Sequence, residues 1–89
     1  MVVYPLNKKL SSRYNLFMKD HRNKIFARNL KAERYRCGIT QSELAEKVDV
    51  SESTISLLER GLQTPSIFLV YDISKVLDID INDLLKNVS

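Results

Sequence analysis

Residues 38–61 read GITQSELAEKVDVSESTISLLERG and hold two helix starts and two helix stops in close succession. At the first start Thr40 is placed to cap free amides, Glu43 can reach back three residues to close a capping box, and Ile39 can staple against Leu44. Leu44, Ala45 and Val48 then line one face of a short helix that ends before Asp49. At the second start Ser51 is the N-cap and Val50 packs toward Ile55; this helix stops at Gly61. At roughly 100° per residue, Ile55 and Leu58 fall on one side of it and Ser53, Ser56, Leu57 and Arg60 on the other, with Glu52 at the edge. Two short helices, 41–48 and 52–60, joined by a very short turn make a helix-turn-helix, whose second helix can enter a DNA major groove. Ala45 is small where the two helices must approach.

Working outward, Phe26, Ala27 and Leu30 recur at helical spacing between about Lys24 and Cys37, with Gly38 in a C-cap position. After the loop Leu62-Gln63-Thr64-Pro65, Ser66 caps a run whose Ile67, Val70, Ile73 and Leu77 form a core-facing stripe. Asp80 caps a last short helix, with Asp83 in its first turn and Ile79 facing Leu84; it frays after Leu85 and Lys86. Five short helices therefore fill residues 24–86, and the expected fold class is all-α. Residues 1–22 stand apart as an N-terminal extension to a domain at 23–89. Leu10, Tyr14, Phe17 and Met18 fall on one side of an additional amphipathic helix. Val2, Val3 and Tyr4, before Pro5, suit a short extended arm.

Composition narrows the function. A chain of 89 residues with 44% hydrophobic and 28% charged side chains is long enough for one modest core. With only 2 Gly and 2 Pro it is poorly suited to the tight turns of an all-β fold. A lone Cys37 and a lone His21 cannot build a structural zinc site or a disulfide framework, so metal and redox roles are not expected. Cys37, beside Gly38 at a helix end, reads as a packed small residue rather than a nucleophile, which argues against an enzyme. Asp78, Asp80 and Asp83 lack the glycine and terminal glutamate of a calcium loop and read as helix-start residues. No apolar run approaches the roughly 18 to 20 residues of a membrane span, and MVVYPLNKKL lacks a signal peptide's apolar stretch, so the expectation is a cytoplasmic chain without a membrane partner. Residues 1–36 hold ten Lys and Arg against two acidic residues, whereas residues 37–89 hold four against nine. A polyanion would meet the first third, unless that charge only solvates a helical face.

The stretches Leu30-Lys31-Ala32-Glu33-Arg34, Gly38 to Val48, Val50 to Ser56, Leu58-Glu59-Arg60-Gly61 and Pro65-Ser66 together resemble the phage repressor and Cro-type helix-turn-helix proteins, the XRE family. The resemblance covers residues 24–86 and implies a five-helix, phage-repressor-like domain that binds operator DNA as a dimer, a transcriptional regulator, most simply a repressor, without enzyme activity or cofactor. It also implies site residues. Glu52, Ser53, Ser56 and Leu57 fall where the family reads base edges. Gln41 opens its helix where a phosphate is commonly contacted, and Arg60, Gln63 and Thr64 lie in the stretch that approaches the backbone. Thr54 joins this phosphate set or supports the first turn of its helix; Arg60, alternatively, pairs with the helix C-terminus.

Two departures carry physical consequences. Asp49 stands where the family favours Gly in a turn that tends to need positive φ, a conformation Asp tolerates better than most residues. Residues 40–61 carry Lys47 and Arg60 against Glu43, Glu46, Asp49, Glu52 and Glu59, so the motif alone should hold DNA weakly. Lys8, Lys9 and Arg13 of the extension are candidate arm contacts that could supply the missing charge. Glu52 can accept from cytosine N4, and Leu57 can touch a thymine methyl. An alternative reading is a protein-interaction module, such as an antitoxin of a toxin–antitoxin pair, that takes a protein partner through residues 1–22.

Overall fold

In the computed structural model, which describes the backbone of residues 4–88 and the side chains of residues 21–88, helix α1 runs unbroken over Tyr4–Cys37. The first core helix, expected to start at about Lys24, is therefore the end of a longer one. The reason is chemical: no Gly or Pro interrupts residues 6–37, and Pro5 sits in the first turn, where its missing N–H costs no helical hydrogen bond. Tyr4, assigned from the sequence to an extended arm, is the first residue of this helix. Val2 and Val3 lie outside the described residues, and so do the side chains of Leu10, Tyr14, Phe17, Met18, Lys8, Lys9 and Arg13.

Four further helices follow: α2 (Gln41–Lys47), α3 (Glu52–Glu59), α4 (Ile67–Val76) and α5 (Ile81–Leu85). Each begins on the residue whose side chain satisfies its free amides. Thr40 accepts from the Glu43 N–H, Ser51 from Thr54, Ser66 from Leu69 and Asp80 from Asn82. The capping box closes in both directions, because the Thr40 N–H donates to Glu43 Oε1 at 2.8 Å. The helices end where the chain turns left-handed. Gly38 and Gly61 take φ of 71° and 74°, and Asp49, Asp78 and Asn87 do the same at 58°, 55° and 66°. Asp78 is thus a helix stop rather than the helix-start residue expected. Val48 and Arg60, expected as the last helical residues of α2 and α3, are their C-caps.

One core joins all five helices. Leu30 of α1, Leu44 of α2, Ile55 and Leu58 of α3, Ile73 of α4 and Leu84 of α5 are fully buried, and Ile39, Val50 and Ile79 pack against that cluster from the turns. Ile67 departs from expectation: it is 62% exposed. It is the first residue of α4, and Val70, Ile73 and Leu77 carry the apolar face from one turn further on. Cys37 is exposed rather than packed, its thiol donating weakly to the Leu77 carbonyl at 3.4 Å. The loop between α3 and α4 is fastened to α1 at two points. The Asn23 amide pairs with the Thr64 hydroxyl at 2.8 Å, and Gly61 lies so close to Lys24 that a Cβ there would stand 3.2 Å from the Lys24 Cα.

Candidate nucleic-acid interface

Helix α3 is held by its inner face and offers its outer one. Ile55, Leu58 and Glu59 are buried; Glu52 and Ser53 are exposed, and Ser56 and Leu57 half-buried. The four residues expected to read bases line a single open depression of about 520 Å³, together with Gln41 from the start of α2 and Arg60 from the end of α3. Short polar side chains with one aliphatic among them leave room for base edges, which project hydrogen-bonding groups and the thymine methyl into a major groove.

The other candidates are placed as follows. Gln41 is half-buried, and its Nε2 donates to Glu59 Oε1 at 3.0 Å; a carboxamide nitrogen carries two hydrogens, so this contact orients the side chain without exhausting it. Thr54 is half-buried in the first turn of α3, where its hydroxyl pairs with that of Ser51 at 2.9 Å. Thr64 is exposed and bonded to Asn23, Gln63 is half-buried in the same loop, and Arg60 is exposed at the C-cap of α3.

Sequence reasoning missed the group that fixes α3. Glu59 had been counted among charges facing phosphate, yet it is 4% exposed. Its Oε2 accepts from Arg34 Nε at 2.5 Å and its Oε1 from Arg34 Nη2 at 2.9 Å. Arg34 also donates through Nη1 to the Ile39 carbonyl at 2.8 Å. Charge-assisted forks of this kind are the strong class of side-chain hydrogen bond, and this one raises the Arg34 pKa further above its ordinary range. A signal was available: Arg34 follows Leu30 by four residues and Glu59 follows Ile55 by four, so both occupy the buried face of their helices.

The electrostatics shift accordingly. With Glu59 neutralised by an arginine from α1, the motif presents four carboxylates rather than five. Of these, Glu43 is committed to the Thr40 amide, whose hydrogen bond holds its carboxyl below the usual glutamate range. Among the described residues no helix is long and apolar enough to cross a membrane, and no three His, Cys, Asp or Glu side chains gather as a metal site.

Residues 30–84 match the family model described as helix-turn-helix. The chain is 47% identical over 51 residues to an uncharacterised HTH-type transcriptional regulator of Archaeoglobus fulgidus, covering 57% of this chain and 73% of that one. It is 42% identical over 63 residues to the HTH-type transcriptional regulator SinR of Bacillus licheniformis, covering 70% of this chain and 57% of the relative. Against SinR the match thus spans little more than half of the relative's length. Among solved structures, the restriction-modification controller protein C.AhdI of Aeromonas hydrophila superposes with a TM-score of 0.70 at 25% identity, over 73% of this chain and 94% of that one.

Proposed function

The chain belongs to the helix-turn-helix family, and from that membership we propose that it is a sequence-specific DNA-binding transcriptional regulator, a repressor, that sets α3 in the major groove. The observation that carries this reading is the one depression lined by Glu52, Ser53, Ser56 and Leu57 between Gln41 and Arg60. Base-edge groups in the middle and phosphate-reaching groups at the ends match the division of labour in specific DNA recognition. The names of the relatives, transcriptional regulators and a restriction-modification controller, support the same class. Gln41, Arg60, Gln63 and Thr64 contact the phosphates on either side of α3.

The regulator acts as a homodimer, because one helix of this length reads too few base pairs to select a site in a genome. Phe68, Ile67, Tyr71 and Leu62, exposed by 77%, 62%, 51% and 58%, provide apolar surface for a protein contact. Selection of bound duplexes from a random pool tests both statements. The expected result is an enriched motif repeated as two half-sites about 10 to 10.5 base pairs apart, or a multiple of that. A pool with no enrichment would reject the DNA-reading role in favour of a protein-interaction module. A single asymmetric site would reject the dimer.

A further inference from the structure

Beside the recognition surface, α1 carries a basic edge that nothing above uses. Lys24, Arg28 and Lys31 are all exposed and recur at steps of four and three, which places them along one line of the helix. They line an open depression of about 430 Å³ between α1 and the end of α3, and its far side is Glu59 and Arg60. Arg60 also borders the depression over Ser53, Ser56 and Leu57, so the two surfaces are continuous. Among the described residues that line this depression the acidic one is Glu59, already neutralised by the Arg34 fork.

The placement is rigid. Gly61 has no side chain where one would meet Lys24, and it takes the left-handed φ of 74° there, so the chain leaving α3 presses directly on α1. One loop further, Thr64 is bonded to Asn23. Arg28 and Lys31 are thereby held at a fixed offset from the helix that enters the groove.

We propose that Arg28 and Lys31, with Lys24 and Arg60, form a second backbone-binding edge, which grips the DNA phosphates flanking the groove that α3 reads. The chemistry it recognises is a row of phosphate monoanions at regular spacing, with no information about base identity. Positive side chains on a line along a helix match that pattern, and they offset the acidic balance of the motif. This rests on the DNA-binding reading and adds a surface to it.

The test is a salt titration of duplex binding by the full chain, with the duplex selected from the random pool and an unrelated duplex side by side. The variant is R28Q/K31Q, which leaves Lys24 in place because its stem packs on Gly61. Each lost phosphate contact should flatten log affinity against log salt by close to one unit. The double variant should therefore lose about two units of slope on both duplexes, keep its preference between them, and retain wild-type helical circular dichroism. R28K/K31R should restore the wild-type slope. A double variant that binds with an unchanged slope overturns the edge while leaving DNA binding intact. Wild-type protein that binds neither duplex overturns both. If the double variant loses its helical signal, K31Q alone decides, at about one unit.

Discussion

Arg34 and Glu59 form a two-pronged ion pair across the α1–α3 interface, both side chains almost wholly buried, and Gln41 closes on the same carboxylate from α2. One carboxylate thus fixes the recognition helix relative to two others. Removing either partner strands a buried charge, which costs about 3 to 5 kcal/mol. Arg34→Ala and Glu59→Ala should each lower stability by that much in chemical denaturation, a large fraction of what a domain of this size has. Arg34→Lys should not restore it, because an ammonium cannot make the fork. The double change Arg34→Met with Glu59→Leu should cost clearly less than either alanine variant.

Leu57 tests the recognition surface without touching the core. It is half-buried on the outer side of α3, while Ile55 and Leu58 hold the inner side. Leu57→Asp places an unpaired charge where bases and phosphates would lie. Specific binding in a gel-shift assay should disappear while helical circular dichroism stays near that of the parent. Undiminished affinity for the selected duplex would remove α3 as the reading element.

The two glycines separate conformation from contact. At Gly38 an added Cβ meets nothing within 4 Å, so Gly38→Ala carries only the left-handed backbone cost of about 1 to 2 kcal/mol. At Gly61 the same methyl would stand 2.9 Å from the Lys24 Cγ and 3.2 Å from its Cα. The Cγ can swing away, but the Cα belongs to a helix. Gly61→Ala should therefore be the more destabilising of the two by thermal melting, and it should also weaken DNA binding by displacing α1 from α3.

What the sequence disclosed follows the range of the interactions. Caps and staples act over three to five residues, so Thr40, Ser51, Ser66 and Asp80 were legible as helix starts and Gly38 as a left-handed stop, whereas the left-handed turn at Asp49 was implied by the family resemblance. The outer face of α3 followed from its own periodicity. The Arg34–Glu59 pair spans 25 residues and joins two helices, so charge counting by segment placed Glu59 on the wrong side. Ile67 fits the period of α4 and still lies outside the core, because burial of a first-turn residue depends on what packs above it. The helix start expected at about Lys24 came from a change in apolar pattern, whereas helix continuity depends on the absence of Gly and Pro.

Acid should weaken the start of α2. The Thr40 N–H bond lowers the Glu43 pKa in the folded chain, so the ionised form favours folding. That contribution is complete above the unfolded value and is lost as pH falls through the lower folded one. Glu43→Gln keeps the capping geometry without the charge. Its stability should track that of the parent at low pH and fall below it near neutrality; parallel curves across the whole range would contradict the capping role.

The basic residues before residue 21 are carried on a helix backbone rather than a free arm, since α1 is continuous from Tyr4. Lys8, Lys9, Arg13 and Lys19 stand against Asp20 in that stretch. We propose that they add to the electrostatic attraction that the acidic motif lacks. A chain beginning at residue 21 keeps Phe26 and Leu30 in the core and the Asn23 bond to Thr64, so it should stay folded. Its affinity should drop for every duplex, with a flatter salt dependence and little change in base preference. The competing role for the same stretch is protein contact through Leu10, Tyr14, Phe17 and Met18, which would instead alter the oligomeric state. Sedimentation of the shortened chain, run beside the salt titration, separates the two: an unchanged slope with a lost dimer would reject the electrostatic contribution.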